Sequence, residues 1–219
     1  MSRRLRSWSY STYKTWKQCP RKVKLSKIDG IKEPGSPATE RGEAIHKEAE
    51  LYIAEHQAVM PESLKPLAAQ FQELWERGAE VHPEEEWAVN RDWQFTGWNA
   101  KDTWLRAKLD AYYVEGSTLT LIDYKTGKVY PDHAGQVALY ALLGFLKFNH
   151  VETVNVQLWY LDQGFIKEDS FDLEEVPDML KQWEYAVANM LVDEEFAPRP
   201  GPYCRWCFYS KAKNGNCEF

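Results

Sequence analysis

No apolar run in this sequence approaches the roughly 20 residues that a membrane-spanning helix needs. The opening Met1–Leu5 leads into no apolar segment of the signal-peptide kind. Both absences set the expectation of a soluble, cytoplasmic protein. Cysteine is scarce, with four among 219 residues. In a cytosolic chain so few thiols suit metal ligation or free thiols better than disulfides. There is no internal repeat and no low-complexity segment, which excludes a solenoid and argues against a disordered tail. Acid is missing in one place above all. From Met1 to Ile28 there is no Asp or Glu, although the chain as a whole carries a net charge of −6.

That acid-free segment holds Arg3, Arg4, Arg6, Lys14, Lys17, Arg21, Lys22, Lys24 and Lys27, with Trp8, Tyr10, Tyr13 and Trp16 interleaved. Cations alternating with aromatics suit phosphate contacts and base stacking, although a basic helix on a solvated face gives the same pattern. Arg3, Arg4, Arg6, Trp8, Tyr10 and Lys14 are the candidate nucleic-acid contacts. The acids gather elsewhere, as in Pro83-Glu84-Glu85-Glu86 and Asp193-Glu194-Glu195, so the charge is polarised. Apolar content of 44% with 27% charged residues is ordinary for a globular chain, and the length suits one well-filled domain.

The stretch Leu109–Lys128 carries the chemistry. It reads as two strands joined at Gly116-Ser117, so that Glu115 pairs with Thr118 and, counting outward, Asp110 opposes Asp123. Directly opposed residues have Cβ atoms roughly 4.5–5.5 Å apart, and like charges there are destabilising. A divalent cation between them is the simplest reason to keep such a pair. Period-two alternation puts Lys125 on the face of Asp123. Two carboxylates and an ammonium around one metal suit phosphodiester hydrolysis.

The remaining elements follow from caps and periodicity. Ser9 caps a helix to about Gln18 that stops before Cys19-Pro20. Ser36-Pro37 opens a second helix to about Gln57, carrying Gly42, Glu43 and His46. Pro61 starts a third, with Leu64, Leu67, Ala68, Phe71, Leu74 and Trp75 at helical spacing. From Glu86 the period changes to two, through Trp87, Val89, Arg91, Trp93 and Phe95. After the hairpin, His133 to about Phe148 reads as a helix with Gln136 and Tyr140 one turn apart. Val154–Tyr160 is a strand with Gly164–Phe171 as its hairpin partner, and Leu173–Phe196 is a long amphipathic helix. Helices flanking a mixed sheet make the class α/β, with a helical N-terminal part at residues 1–80, a core at 81–197 and a Cys-rich tail at 198–219.

The order of these features resembles the PD-(D/E)xK nuclease superfamily, and within it the RecB-like branch that includes CRISPR-associated and phage exonucleases. The matching series is a Tyr-rich helix ending in Cys19-Pro20, then Arg41-Gly42…His46, Leu109-Asp110, Asp123-Tyr124-Lys125-Thr126-Gly127, Gln136…Tyr140, and a Cys-x-x-Cys tail with one more Cys. The resemblance implies a restriction-endonuclease-like core. It implies that Asp110 and Asp123 bind Mg2+ or Mn2+ with the backbone carbonyl of Tyr124, and that His46 adds an imidazole. Lys125 would orient the attacking water and offset charge in the transition state, and Gln136 and Tyr140 would position Lys125 or the scissile phosphate. One departure stands out: the family often has Gly shortly before the first acid, where this chain has Arg106-Ala107-Lys108-Leu109. Taken singly, His46 is an ordinary helical histidine and Gln136 with Tyr140 an ordinary helix face.

Cys19, Cys204, Cys207 and Cys217 complete the set. In the RecB-like branch, one early and three late cysteines hold a [4Fe-4S] cluster that ties the chain ends together, which implies that the tail closes onto Cys19. The longer gap before Cys217 keeps zinc or an empty site open. The resemblance implies a metal-dependent DNA exonuclease acting on ends or single strands, with a recombination or repair protein as a conceivable partner and, for a phage gene, the host cytoplasm as location. The alternatives are a catalytically silent nucleic-acid-binding module and a structure-specific endonuclease.

Overall fold

The computed structural model describes residues 4–129 and 133–219. Its centre is one five-stranded sheet in the order β1 (His82–Val89), β2 (Leu105–Glu115), β3 (Thr118–Lys125), β4 (Thr153–Tyr160) and β5 (Phe165–Asp172). All neighbours are antiparallel except β3 and β4, which run parallel. A parallel pair needs a crossover, and α5 (Ala134–Lys147) supplies it. The remaining helices are α1 (Tyr10–Gln18), the single turn α2 (Pro20–Val23), α3 (Pro37–Ala54), α4 (Ala68–Arg77) and α6 (Val176–Val192).

The sheet is covered on both faces. One apolar core joins Leu105, Leu109, Leu119 and Leu121 of the sheet to Val137 and Leu142 of α5, Trp183 and Val187 of α6, and Trp8. The other joins Ala111, Ile122, Tyr124 and Trp159 to Ile45 and Tyr52 of α3 and Phe71 and Leu74 of α4. The central strand β3 is therefore buried without a break from Leu119 to Tyr124. Each fully buried Leu, Ile or Phe contributes roughly 1.5–3 kcal/mol of apolar burial. Gly144 lets α5 lie close on β3, because a Cβ there would come within 2.6 Å of Leu119 Cδ2. That approach matters because α5 delivers Gln136 and Tyr140 to the strand ends.

The hairpin forms in the register expected from its turn. Glu115 pairs with Thr118 and Ala111 with Ile122, where the paired stretch ends; the expected direct pair of Asp110 with Asp123 is not formed, and Asp110 Oδ2 instead accepts from the N–H of Tyr124. Gly116 has φ +59° at the first loop position, where a Cβ would be strained. Ser9 and Ser36 cap α1 and α3 as expected, their hydroxyls accepting from Thr12 and Thr39 N–H.

Three further expectations are corrected. The strand read through Phe95 ends at Val89, because Asn90 Oδ1 accepts from the N–H groups of Asp92 and Gln94, both at 3.0 Å, and turns the chain. The strand starts at His82 rather than at Glu86, so the acid run at 83–86 lies inside β1. The third helix starts as a 3-10 segment, Glu62–Leu67, since Pro66 has no N–H to donate, and becomes α-helical only at Ala68. Two elements were not anticipated: α2 and the π-helical turn Lys24–Ile28 that continues it. Among the described residues no helix is long and apolar enough to cross a membrane.

Candidate active site

Two adjacent strands and two helices bring the candidate residues together. On the β2 side, Asp110 Oδ2 accepts from the backbone N–H of Tyr124 at 2.6 Å, and its Oδ1 lies 2.8 Å from His46 Nδ1 of α3. On the β3 side, Gln136 of α5 organises three groups. Its Oε1 accepts from Lys125 Nζ at 2.9 Å, and its Nε2 donates to Asp123 Oδ1 at 3.1 Å and to Tyr140 Oη at 2.9 Å. Tyr140 Oη in turn donates to the Lys108 carbonyl at 2.9 Å, which ties α5 to β2. Lys125 Nζ also forms an ion pair with the buried Asp123 Oδ2.

Electrostatics follow from this burial. The Asp123 carboxyl, only 5% exposed, is pushed up to about 6, first by desolvation and further by Asp110, with Lys125 and His46 opposing. Burial disfavours the His46 imidazolium, yet the hydrogen bond and charge of Asp110, with Asp123 behind it, raise its pKa on balance. Tyr140 is held far above its ordinary value by burial and by the charge of Asp123, so it acts as a neutral hydroxyl.

The two acids, on adjacent strands, turn to different partners, Asp110 to His46 and Tyr124, Asp123 to Lys125 and Gln136. Among the described residues no three His, Cys, Asp or Glu side chains are gathered as a metal-binding group. The residues nonetheless fit a hard divalent cation. Asp123 presents a buried carboxylate whose Oδ2 meets the Lys125 ammonium, in a setting that penalises its charge, with a second carboxylate and an imidazole nearby.

A further contact pins the loop that follows Lys125. Arg41 of α3 grips Asp162 through two nitrogens, at 3.1 and 2.6 Å, and Asp162 Oδ2 accepts from Gly127 N at 2.7 Å. Gln163 Nε2 donates to the Gly127 carbonyl at 2.6 Å. Asp162 and Gln163 escaped sequence reasoning, since an acid in a hairpin turn before Gly164 looks like any turn residue.

The N-terminal candidates separate. Arg3 lies outside the described residues. Arg4 is exposed and paired with Glu194, and Arg6 is exposed. Trp8 is no stacking surface. It is 2% exposed, bridges to Leu105 at the end of β2, and packs its ring on Trp104 and Trp183 at 5.4 and 5.8 Å. Tyr10 and Lys14 line a cavity of about 650 Å³ that also reaches Lys125, Gln136 and Tyr140. The basic segment is partly neutralised from within the chain, by Lys22–Glu33 and Lys24–Asp29 pairs. Cys19, Cys204, Cys207 and Cys217 are free thiols that line one separate cavity of about 170 Å³.

A mixed sheet flanked by helices, with two acids and an amide-positioned lysine on adjacent strands, is an α/β scaffold carrying a polar site of a kind suited to hydrolysis. Residues 7–212 match the model of the PD-(D/E)XK nuclease superfamily, and the chain belongs to that family. Family membership implies metal-dependent hydrolysis of nucleic acid and a restriction-endonuclease-like fold. A solved structure from Eubacterium rectale described as a candidate exonuclease is 12% identical, with a TM-score of 0.56, and the match covers 98% of this chain and 89% of that one. The crystal structure of SSO0001 is 14% identical, covering 95% and 86% of the two chains, with a TM-score of 0.46. No curated protein sequence is significantly similar.

Proposed function

We propose that the chain is a divalent-metal-dependent DNA exonuclease of the RecB-like type, acting on DNA ends or single strands. The observation that carries this reading is the single network in which Gln136 contacts Lys125, Asp123 and Tyr140 at once. Asp110, Asp123, the Tyr124 carbonyl and His46 are the groups that would hold Mg2+ or Mn2+. Bound there, such a cation supplies Lewis acidity toward the phosphate and makes a coordinated water more acidic.

The protein's own groups do the rest. Lys125 is a fixed ammonium, held by Asp123 and Gln136, that faces negative charge developing on the phosphate and steers the attacking water. Tyr140, neutral and anchored on the Lys108 carbonyl, holds the Gln136 amide in place. Asp110 fixes the orientation of His46 through Nδ1. The description of the Eubacterium rectale neighbour supports the exonuclease form of the activity.

The four cysteines around one cavity support a structural metal centre joining Cys19 to the tail, a [4Fe-4S] cluster in preference to zinc. It would leave residues 1–219 as one domain closed at its ends. Digestion of end-labelled single- and double-stranded DNA, with and without Mn2+, tests the activity. Loss of label from the end in wild type but not in Lys125→Ala is the expected result. A folded wild-type protein that cleaves neither substrate with either metal would overturn it.

A further inference from the structure

The cavity that reaches Lys125, Gln136 and Tyr140 also takes in Trp98, from the connection between β1 and β2, and Arg106 of β2. Trp98 belongs to neither apolar core and is only partly buried. A single exposed aromatic is ordinary on a protein surface, but this one is built into place. Arg106 Nε donates to the Trp98 carbonyl at 2.8 Å, and its Nη1 donates to Ser7 Oγ at 2.9 Å. The guanidinium also lies 5.4 Å from the centre of the Trp98 ring. Among the described residues Arg106 forms no ion pair, so no acid neutralises its charge. Lys14 and Lys27 line the same cavity.

We propose that Trp98, held by Arg106, is a stacking platform for an unpaired nucleobase of the substrate strand, with Arg106 and the nearby lysines on its phosphates. The proposal rests on the nuclease reading above and narrows it to a single-stranded end. A base inside a duplex has both faces covered by its neighbours, whereas an unpaired base has a free π-face for an indole. Arg106 stands four residues before Asp110 on β2, about 13 Å along an extended strand. The platform therefore receives a nucleotide near the scissile phosphate rather than the scissile one itself. Trp98 takes the role that the N-terminal sequence pattern suggested for Trp8, which the core has absorbed.

The test uses single-stranded oligonucleotides carrying one abasic nucleotide at successive positions from the end, with the intact strand as reference. Affinity is read by fluorescence anisotropy in EDTA, so that nothing is cleaved. Trp98→Ala should weaken binding of the intact strand by roughly tenfold, in line with one lost stacking contact, and Trp98→Phe much less. At one abasic position the wild type should bind as weakly as Trp98→Ala, and the variant should lose nothing further. If Trp98→Ala does not fold, Trp98→Leu, apolar but without a π-face, takes its place under the same two criteria. Unchanged affinity, or an equal loss for the intact and every abasic strand, overturns the platform. Digestion in Mn2+ is scored separately: a wild type that binds but cuts no strand removes the nuclease reading, while anisotropy still decides the subsite.

Discussion

Gln136 stands 2.9 Å from Lys125 Nζ and accepts its hydrogen bond, while the amide nitrogen of the same side chain reaches Asp123. One residue of α5 thus holds both the ammonium and the carboxylate of the same strand, β3. Lys125→Ala should lower kcat by a factor on the order of 10² to 10³ or more, the usual cost of removing one group that meets transition-state charge. Gln136→Ala should lower kcat by less and leave KM nearly unchanged, because Lys125 persists but is no longer held. Steady-state digestion of a labelled oligonucleotide reads both, with thermal unfolding to check the fold. A Gln136→Ala protein with wild-type kcat would show that the amide positions nothing.

Metal binding should be visible without catalysis. A cation that binds only the folded state stabilises it, by about 2.7 kcal/mol at 100 times its dissociation constant. Mn2+ should therefore raise the melting temperature of wild type and raise that of Asp110→Asn much less. The same gain in both proteins would move the metal away from Asp110.

The pH dependence of the metal-free protein has a defined sign. The Asp123 carboxyl is raised from 3.8 to about 6, chiefly by burial, so the folded chain holds this proton more tightly than the unfolded chain does. Its contribution to stability is then greatest below the unfolded value and is lost as pH rises through about 6. In EDTA, Asp123→Asn should melt above wild type at pH 7.5, by an amount on the order of 5 °C. The difference should shrink toward pH 4. A variant less stable than wild type by the same margin at both pH values would show that the fold depends on the carboxylate itself.

Cys19 lines the same cavity as Cys204, Cys207 and Cys217, so a centre shared by them closes a loop of almost the whole chain. Closing so long a loop should stabilise the fold, and assembly of the centre adds directly to folding. Protein purified without oxygen should be brown, and Cys19→Ser should lower both iron content and melting temperature. Activity per folded molecule should change less, since Lys125 and Gln136 line another cavity. Colourless protein with one zinc would make the centre a zinc site, and four titratable thiols in a stable, active protein would remove it.

Much of the architecture was legible locally. Two serine caps, a two-residue turn and the switch from helical to alternating periodicity are short-range signals, and α1, α3 and the β2–β3 hairpin follow them. The register from Glu115–Thr118 to Ala111–Ile122 belongs to the same kind, because a turn and a period of two settle it. Local reading failed where a side chain competed with the backbone, as at Asn90, or where Pro66 removed a donor.

What the amino-acid order determined by itself was which chemistry the chain carries: two acids and a lysine on a pair of adjacent strands, and four thiols near its two ends. Tertiary structure alone decided which side chains face that chemistry. Trp8 and Trp98 both border the cavity that reaches Lys125, yet Trp8 is 2% exposed and packed on Trp104 and Trp183, whereas Trp98 is only partly buried. Asp162 reaches the loop after Lys125 only because β4 lies parallel to β3 and brings the following turn beside Gly127. The reason is physical. Caps, turns and alternation act within a few residues, while burial and long-range hydrogen bonds exist only once α5 has crossed the sheet and closed on β3.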